Sequence, residues 1–182
     1  MGRLVNSGMA VTALIGALNL AHSQSPPPPS TVAAERAVTD FYAWYVPMAR
    51  SDKGPHLRAL QERRAQFADP LDKALRAEWA ATSEGGEEID GLDADPLLNA
   101  QEPCEQYRPV RTTTRGMEFL VEVLGTGHCQ VHQKPDVIVQ VAWRENRPVF
   151  VNFLYSRRTG DDLLSLLRRL ASQRRRTSGS SR

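Results

Sequence analysis

The apolar residues of this chain change their repeat once, near residue 105. Before that point they recur at helical spacing. Ala34, Val38, Phe41 and Tyr45 fall on one stripe, and Leu71, Ala74, Leu75 and Trp79 on another. After it they alternate. Met117, Phe119, Val121 and Val123 share a face with Glu118 and Glu122 opposite, and Val137, Val139, Val141 and Trp143 share a second face. One more helical stripe follows, formed by Leu163, Leu166, Leu167 and Leu170. A single switch of period, closed by a helix, predicts an α+β domain: N-terminal helices packed on a curved antiparallel sheet of about four strands, with a C-terminal helix closing it.

The punctuation agrees with that layout. A first helix over 31–46 is ended by Pro47, and a second starts at Pro55 with Leu57, Leu60 and Phe67 inward. A third takes Asp69 as N-cap with Pro70 in its first turn, where a missing N–H is harmless. Strands are expected over 107–113, 117–124, 136–143 and 149–155, with Arg115-Gly116 and Glu145-Asn146 as hairpin turns. The last helix opens at Thr159 and runs over 161–172.

With 182 residues, 41% of them hydrophobic and 24% charged, the chain is long enough for one domain with a real core and is not disordered throughout. A net charge of +2 creates no field that would attract nucleic acid, so no nucleic-acid partner is expected. A mean hydropathy of −0.43 excludes a polytopic membrane protein.

Residues 1–23 read as a signal peptide. Arg3 supplies the positive start, 9–20 the apolar stretch, and Ala21 and Ser23 the small residues before cleavage at Gln24. The stretch is short and interrupted by Asn19, so no membrane span is expected. A Pro-rich linker covers 24–32, with Pro26, Pro27, Pro28 and Pro29 favouring a stiff polyproline-II spacer. The single domain then covers 33–172, and 173–182 reads as an Arg-rich disordered tail. Six arginines and no acid lie between Arg168 and Arg182. They read as a solubilising tail, with attraction to anionic envelope surfaces as the other role. The product is expected to be periplasmic or secreted.

An oxidising compartment favours pairing of the two cysteines. If 107–113 and 117–124 form a hairpin about Arg115-Gly116, antiparallel partners have numbers summing to about 231. Cys104 and Cys129 then lie beyond the same open end of that hairpin, which predicts a Cys104–Cys129 disulfide. His128 and His132 could complete a metal set with those cysteines. They sit in a loop rather than on a helix, however, and the cysteines are better explained as a pair. Residues 83–105 carry eight acidic side chains and no Lys or Arg, and read as a solvated loop. Asp90, Asp93 and Asp95 lack the order of a calcium loop. Neither a metal nor a cofactor is expected.

Phe41, Tyr42, Trp44 and Tyr45 crowd one turn of the first helix and cannot all face one way. Phe41 and Tyr45 fit the core stripe; Tyr42 and Trp44 either line a cleft or cover the sheet edge. The candidate ligand cleft, between the first helix and the sheet, therefore takes Tyr42, Trp44, Tyr45, Asp93, Asp95, Asn99 and Gln101. No G-x-S-x-G, H-E-x-x-H or phosphate-cradling glycine loop is present, and no catalytic residue is assigned. The expected function is an exported, non-enzymatic binding module for a small ligand or an envelope protein. Two alternatives are a periplasmic immunity or inhibitor protein that neutralises a toxin, and a small enzyme with a carboxylate base in the cup.

Three strings carry a resemblance. AVTDFYAWYV in the first helix, DADPLLNAQEP before the first strand and VNFLYSRRTGDDLLSLLRRL at the end occur in this order. With them the chain resembles the bacterial "domain of unknown function 3828" family of exported and lipoprotein-type proteins, over roughly 33–171. The resemblance implies a nuclear-transport-factor-2-like or cystatin-like fold, with helices cupped by a bent antiparallel sheet, and no common activity. The family pattern has Gly-x-Trp in the hairpin before the last strand, where this chain reads Glu145-Asn146-Arg147-Pro148.

Overall fold

The computed structural model describes residues 28–51, 54–84, 92–129, 134–155 and 160–180, with only the backbone described for 83–84 and 177–180. The expected signal peptide and most of the linker lie outside the described residues, as do Asp90 and His132.

Helix α1 (Thr31–Ala49) is capped by Ser30, whose Oγ accepts the Ala33 N–H at 3.1 Å. The helix runs past Pro47 for two further residues, contrary to the expected stop at Val46. This close to the C-terminus the proline costs one ladder bond, and the next residue, Met48, is buried. Helix α2 (Pro55–Glu62) starts from Gly54, whose φ of 75° suits a residue without a Cβ. Helix α3 (Asp69–Glu84) follows a 3₁₀ turn over Arg64–Gln66. Asp69 lies inside the helix rather than capping it: the Leu71 and Asp72 N–H groups both donate to the Ala68 carbonyl at 3.0 Å.

The sheet is antiparallel in the order β1 (Gln106–Arg115), β2 (Glu118–Thr126), β3 (Val137–Arg144) and β4 (Arg147–Leu154). The first turn sits one residue later than expected. Arg115 faces Glu118, so Gly116 (φ 61°) and Met117 form the two-residue loop, and Met117 is 90% exposed rather than on the core face. The second turn is Glu145-Asn146 as predicted, with φ of 50° and 61°. Val110 in β1 and Val151 in β4 are extra residues at register shifts, and such bulges bend their strands. Beyond β4, the Ala68 N–H donates to the Phe150 carbonyl at 2.9 Å, and Phe67 bridges Phe150 in parallel, so a short segment caps that edge.

Helix α4 (Leu163–Ser180) is capped by Asp162, whose Oδ1 accepts the Ser165 N–H at 2.9 Å. The expected disordered tail over 173–182 is therefore helical as far as Ser180, and residues 181–182 lie outside the described set. The reason is Arg174. Its guanidinium makes two bonds of 2.6 and 2.7 Å to the buried Glu78 carboxylate of α3, which pins the last turns in place. Glu78 takes the inward position that the pattern gave to Trp79, and Trp79 is 41% exposed instead.

One core joins these pieces. Val38, Phe41, Tyr42 and Tyr45 of α1 meet Leu71 and Leu75 of α3, Val121, Val139, Phe150 and Phe153 of the sheet, and Leu163 and Leu167 of α4. Helices on one face of a four-stranded antiparallel sheet, closed by a C-terminal helix, make this an α+β fold.

Candidate functional site

The space between α1 and the sheet is filled. Tyr42 and Tyr45 are buried, and their hydroxyls reach out of the helix to the acidic segment. Tyr42 Oη donates to the Leu97 carbonyl at 2.8 Å, and Tyr45 Oη to Asp95 Oδ2 at 2.7 Å. Asp95 Oδ1 accepts the N–H groups of Leu97 at 2.8 Å and Leu98 at 3.1 Å, closing a side-chain turn. Tyr155 Oη donates to the Pro96 carbonyl at 3.0 Å. Three tyrosines thus fasten the described part of the acidic segment, and Leu97 and Leu98 are fully buried beneath it. In place of the solvated loop expected there, Asp95 sits inside an ordered turn. Burial raises its carboxyl to about 6, against the lowering effect of the bonds from Tyr45, Leu97 and Leu98. Desolvation likewise pushes both tyrosines well up, with the Asp95 charge adding to it.

The predicted cleft residues therefore separate. Tyr42 and Tyr45 are core and fastening groups. Trp44 stands about 200° round α1 from Tyr42, packs on Phe41, and is covered by the Arg63 guanidinium 4.8 Å from its ring centre. Asn99 adopts φ 53° and donates its amide to the Asp136 carbonyl at 3.1 Å, joining the segment to the start of β3. Asp93, Asp95 and Gln101 do come together, around a cavity of about 410 Å³.

That cavity opens between Gly54 and Pro55 at the head of α2, Trp79 of α3 and the acidic segment. Gly54 is required there for a second reason: a Cβ would meet Trp79 Cη2 at 3.3 Å, so the indole lies directly over the glycine. His56 stands edge-on to Trp79, with ring centres 5.8 Å apart. Its Nδ1 is buried and finds no partner among the described residues, and burial lowers its pKa to about 4, so the ring is neutral at pH 7. Among the described residues the lining holds two carboxylates, two aromatic rings and no Lys or Arg. Asp95 commits both oxygens to the turn, which leaves Asp93 as the carboxylate that can turn to a ligand. Sequence reasoning missed His56 and Trp79. Helical spacing placed Trp79 in the core, and a single histidine after Gly-Pro gives no signal of its own.

The cysteines pair as predicted. Cys104 and Cys129 form a disulfide with Cα atoms 5.5 Å apart. Tyr107 faces Gly125 between them, and a Cβ at Gly125 would collide with Cys104 Sγ. The bond removes both sulfurs from the metal set weighed with His128. His128 Nδ1 stands 3.6 Å from Glu105 Oε1.

No described helix is long and apolar enough to cross a membrane. In comparisons with known proteins, no family model, curated protein or solved structure matches the chain.

Proposed function

We propose that this protein is an exported, non-enzymatic binding module, working in the periplasm or beyond the cell, whose recognition site is the cavity under Trp79. The observation that carries this reading is the lining itself: the partly exposed Trp79 indole and the exposed Asp93 carboxylate side by side in a cavity of about 410 Å³. An aromatic face beside a carboxylate favours a compact organic cation, through the ring quadrupole and the carboxylate charge. The filled α1–sheet interior supports a binding role at the surface rather than chemistry in a cup, because Asp95 is fully occupied by the turn it closes. Export rests on residues 1–23 and on the disulfide, which persists in oxidising compartments. Membership of the family named above fits the fold and the compartment.

Titration with tetramethylammonium and with agmatine, read by tryptophan fluorescence and calorimetry, tests the site. Saturable binding of either that is lost in Trp79→Ala and weakened at least about fivefold in Asp93→Asn supports it; a cation–π contact and a partly desolvated charge each contribute about 1 kcal/mol or more. Equal binding by both variants, or none by the native protein, refutes it. The inhibitor reading uses the same chemistry, with a Lys or Arg side chain of a partner protein as the cation. A pulldown from envelope extract that loses its partner in Trp79→Ala would favour that version.

A further inference from the structure

Helix α4 presents a second surface whose chemistry is opposite to that of the cavity. Between Leu163 and Ser180 it contains five arginines and no Asp or Glu. Arg174 turns inward to Glu78, and Leu163 and Leu167 are buried on the same side. That inward contact fixes the rotation of the helix. At about 100° per residue, Arg168, Arg169, Arg175 and Arg176 then fall within an arc of about 120° on the outer face, over a length of about 12 Å. All four are exposed. Their hydrogen-bond partners neutralise no charge: Arg169 donates to the Gly160 carbonyl at 3.2 Å, and Arg175 to Ser172 Oγ at 3.1 Å. Among the described residues none of the four has a salt bridge; against the raising effect of burial, the Asp162 carboxyl is held down chiefly by bonds from Asn152 and Ser165, and Arg168 adds the smallest part.

A larger cavity of about 770 Å³ adjoins this face at Arg168 and is not the anion site. Of its other arginines, Arg64 and Arg147 pair with lining carboxylates, and Arg144 donates to the Trp143 carbonyl. Asp69 pairs with Arg64, Glu145 with Arg147, Glu118 with Gln140, and Asp162 with Asn152. The surplus of positive charge therefore lies on the helix, in a flat row rather than in a pocket.

We propose that the outer face of α4 is an electrostatic docking surface for an anionic phospholipid bilayer. A row of four guanidinium groups without a salt bridge among the described residues, on a helix that carries no Asp or Glu, complements a plane of lipid phosphates. The apolar face of α4 is already spent in the core, so the helix lies on the surface without inserting. The cavity under Trp79 plays no part in this contact.

Co-sedimentation of the full chain with vesicles of phosphatidylcholine alone, and of phosphatidylcholine mixed with phosphatidylglycerol, tests the proposal. Residues 9–20 add a term independent of charge, so the reading is the ratio of binding to the two vesicle types. The ratio should be large at low salt and fall steeply as salt is added. R168Q/R169Q/R175Q/R176Q should lower it by about fivefold for each arginine removed. The matching change to lysines should retain it. A control that removes the same charge elsewhere, R36Q/R50Q/R108Q/R115Q, should leave it within twofold. A ratio near one overturns the proposal. So does an equal loss in the control, or a DNA duplex that displaces the vesicles from the native protein at equal phosphate concentration.

Discussion

Asp95 and His56 show how two half-buried titrating groups can hide each other. Both are moved by burial, in opposite directions: the Asp95 carboxyl up to about 6 and the His56 imidazole down to about 4. A raised carboxyl binds its proton more tightly in the folded state. Its contribution is therefore present below the unfolded value near 3.8 and is lost as pH rises through about 6. A lowered imidazole does the reverse: its contribution is present above 6.5 and is lost as pH falls through about 4. Each spans about two pH units, or about 3 kcal/mol, so between pH 4 and 6 the two slopes largely cancel. Asp95→Asn keeps the acceptor for Leu97 and Leu98 and removes one slope. Urea midpoints of that variant should climb with pH over this interval, while those of the native protein stay nearly flat. A native protein with the same climb would show that Asp95 is not desolvated. Neither group was legible from pattern. Asp95 sat among eight acids in a segment without Lys or Arg, and its burial depends on three tyrosines that approach from α1 and from the chain beyond β4.

At the level of elements, what alternation or a helical stripe could mark was legible, and what a single distant partner decides was not. The four strands and the Glu145-Asn146 turn follow directly from the sequence. The first hairpin is displaced by one residue because Met117, apolar but in the turn, extends the alternating pattern by one step. The face of α3 and the end of α4 were both misread for one reason, the Glu78–Arg174 pair across 96 residues. Two consequences can be measured. Ending the chain after Ser172 should lower stability by about 3 kcal/mol in chemical denaturation, because it leaves a buried carboxylate without its partner; a neutral truncation would restore the reading of this region as a loose tail. Glu78→Gln should cost less than the truncation, since an amide can still accept from Arg174 without carrying an unpaired charge.

Over the whole molecule the disulfide is the long-range constraint that the sequence most clearly supplied. It closes a loop of 25 residues from the start of β1 to the chain beyond β2, worth about 3.5 kcal/mol in the chain-entropy account. Cys104→Ser, Cys129→Ser and the double replacement should each cost about the same, a few kcal/mol, because any one of them already opens the loop. An additive double variant in thermal or urea unfolding would mean that the sulfurs contribute mainly by packing. Gly125→Ala should disturb the same corner with the cysteines intact, since its Cβ meets Cys104 Sγ and the Asp136 carboxylate, and the variant should lose stability to a similar extent. Protein recovered from the envelope should begin at Gln24, within two residues; an intact Met1 would end the export reading. The cavity under Trp79 was only half legible. Asp93, Asp95 and Gln101 come from one segment, which composition picked out, whereas Gly54, His56 and Trp79 arrive from two helices whose meeting point no local pattern reports.

The two borders of the sheet are closed in different ways. Phe67 and Ala68 lie along β4, whereas β1 carries Pro109, which has no N–H to offer, followed by the bulge at Val110 and flanked by Arg108 and Arg111. A second copy approaching from either side finds no straight row of donors and acceptors to extend. The fold therefore carries its own guard against strand-by-strand polymerisation, which matters most for a chain held at high local concentration. Restoring a regular border with Pro109→Thr and deletion of Val110 should yield concentration-dependent dimers and fibrillar material by light scattering, at a protein concentration where the native chain stays monodisperse.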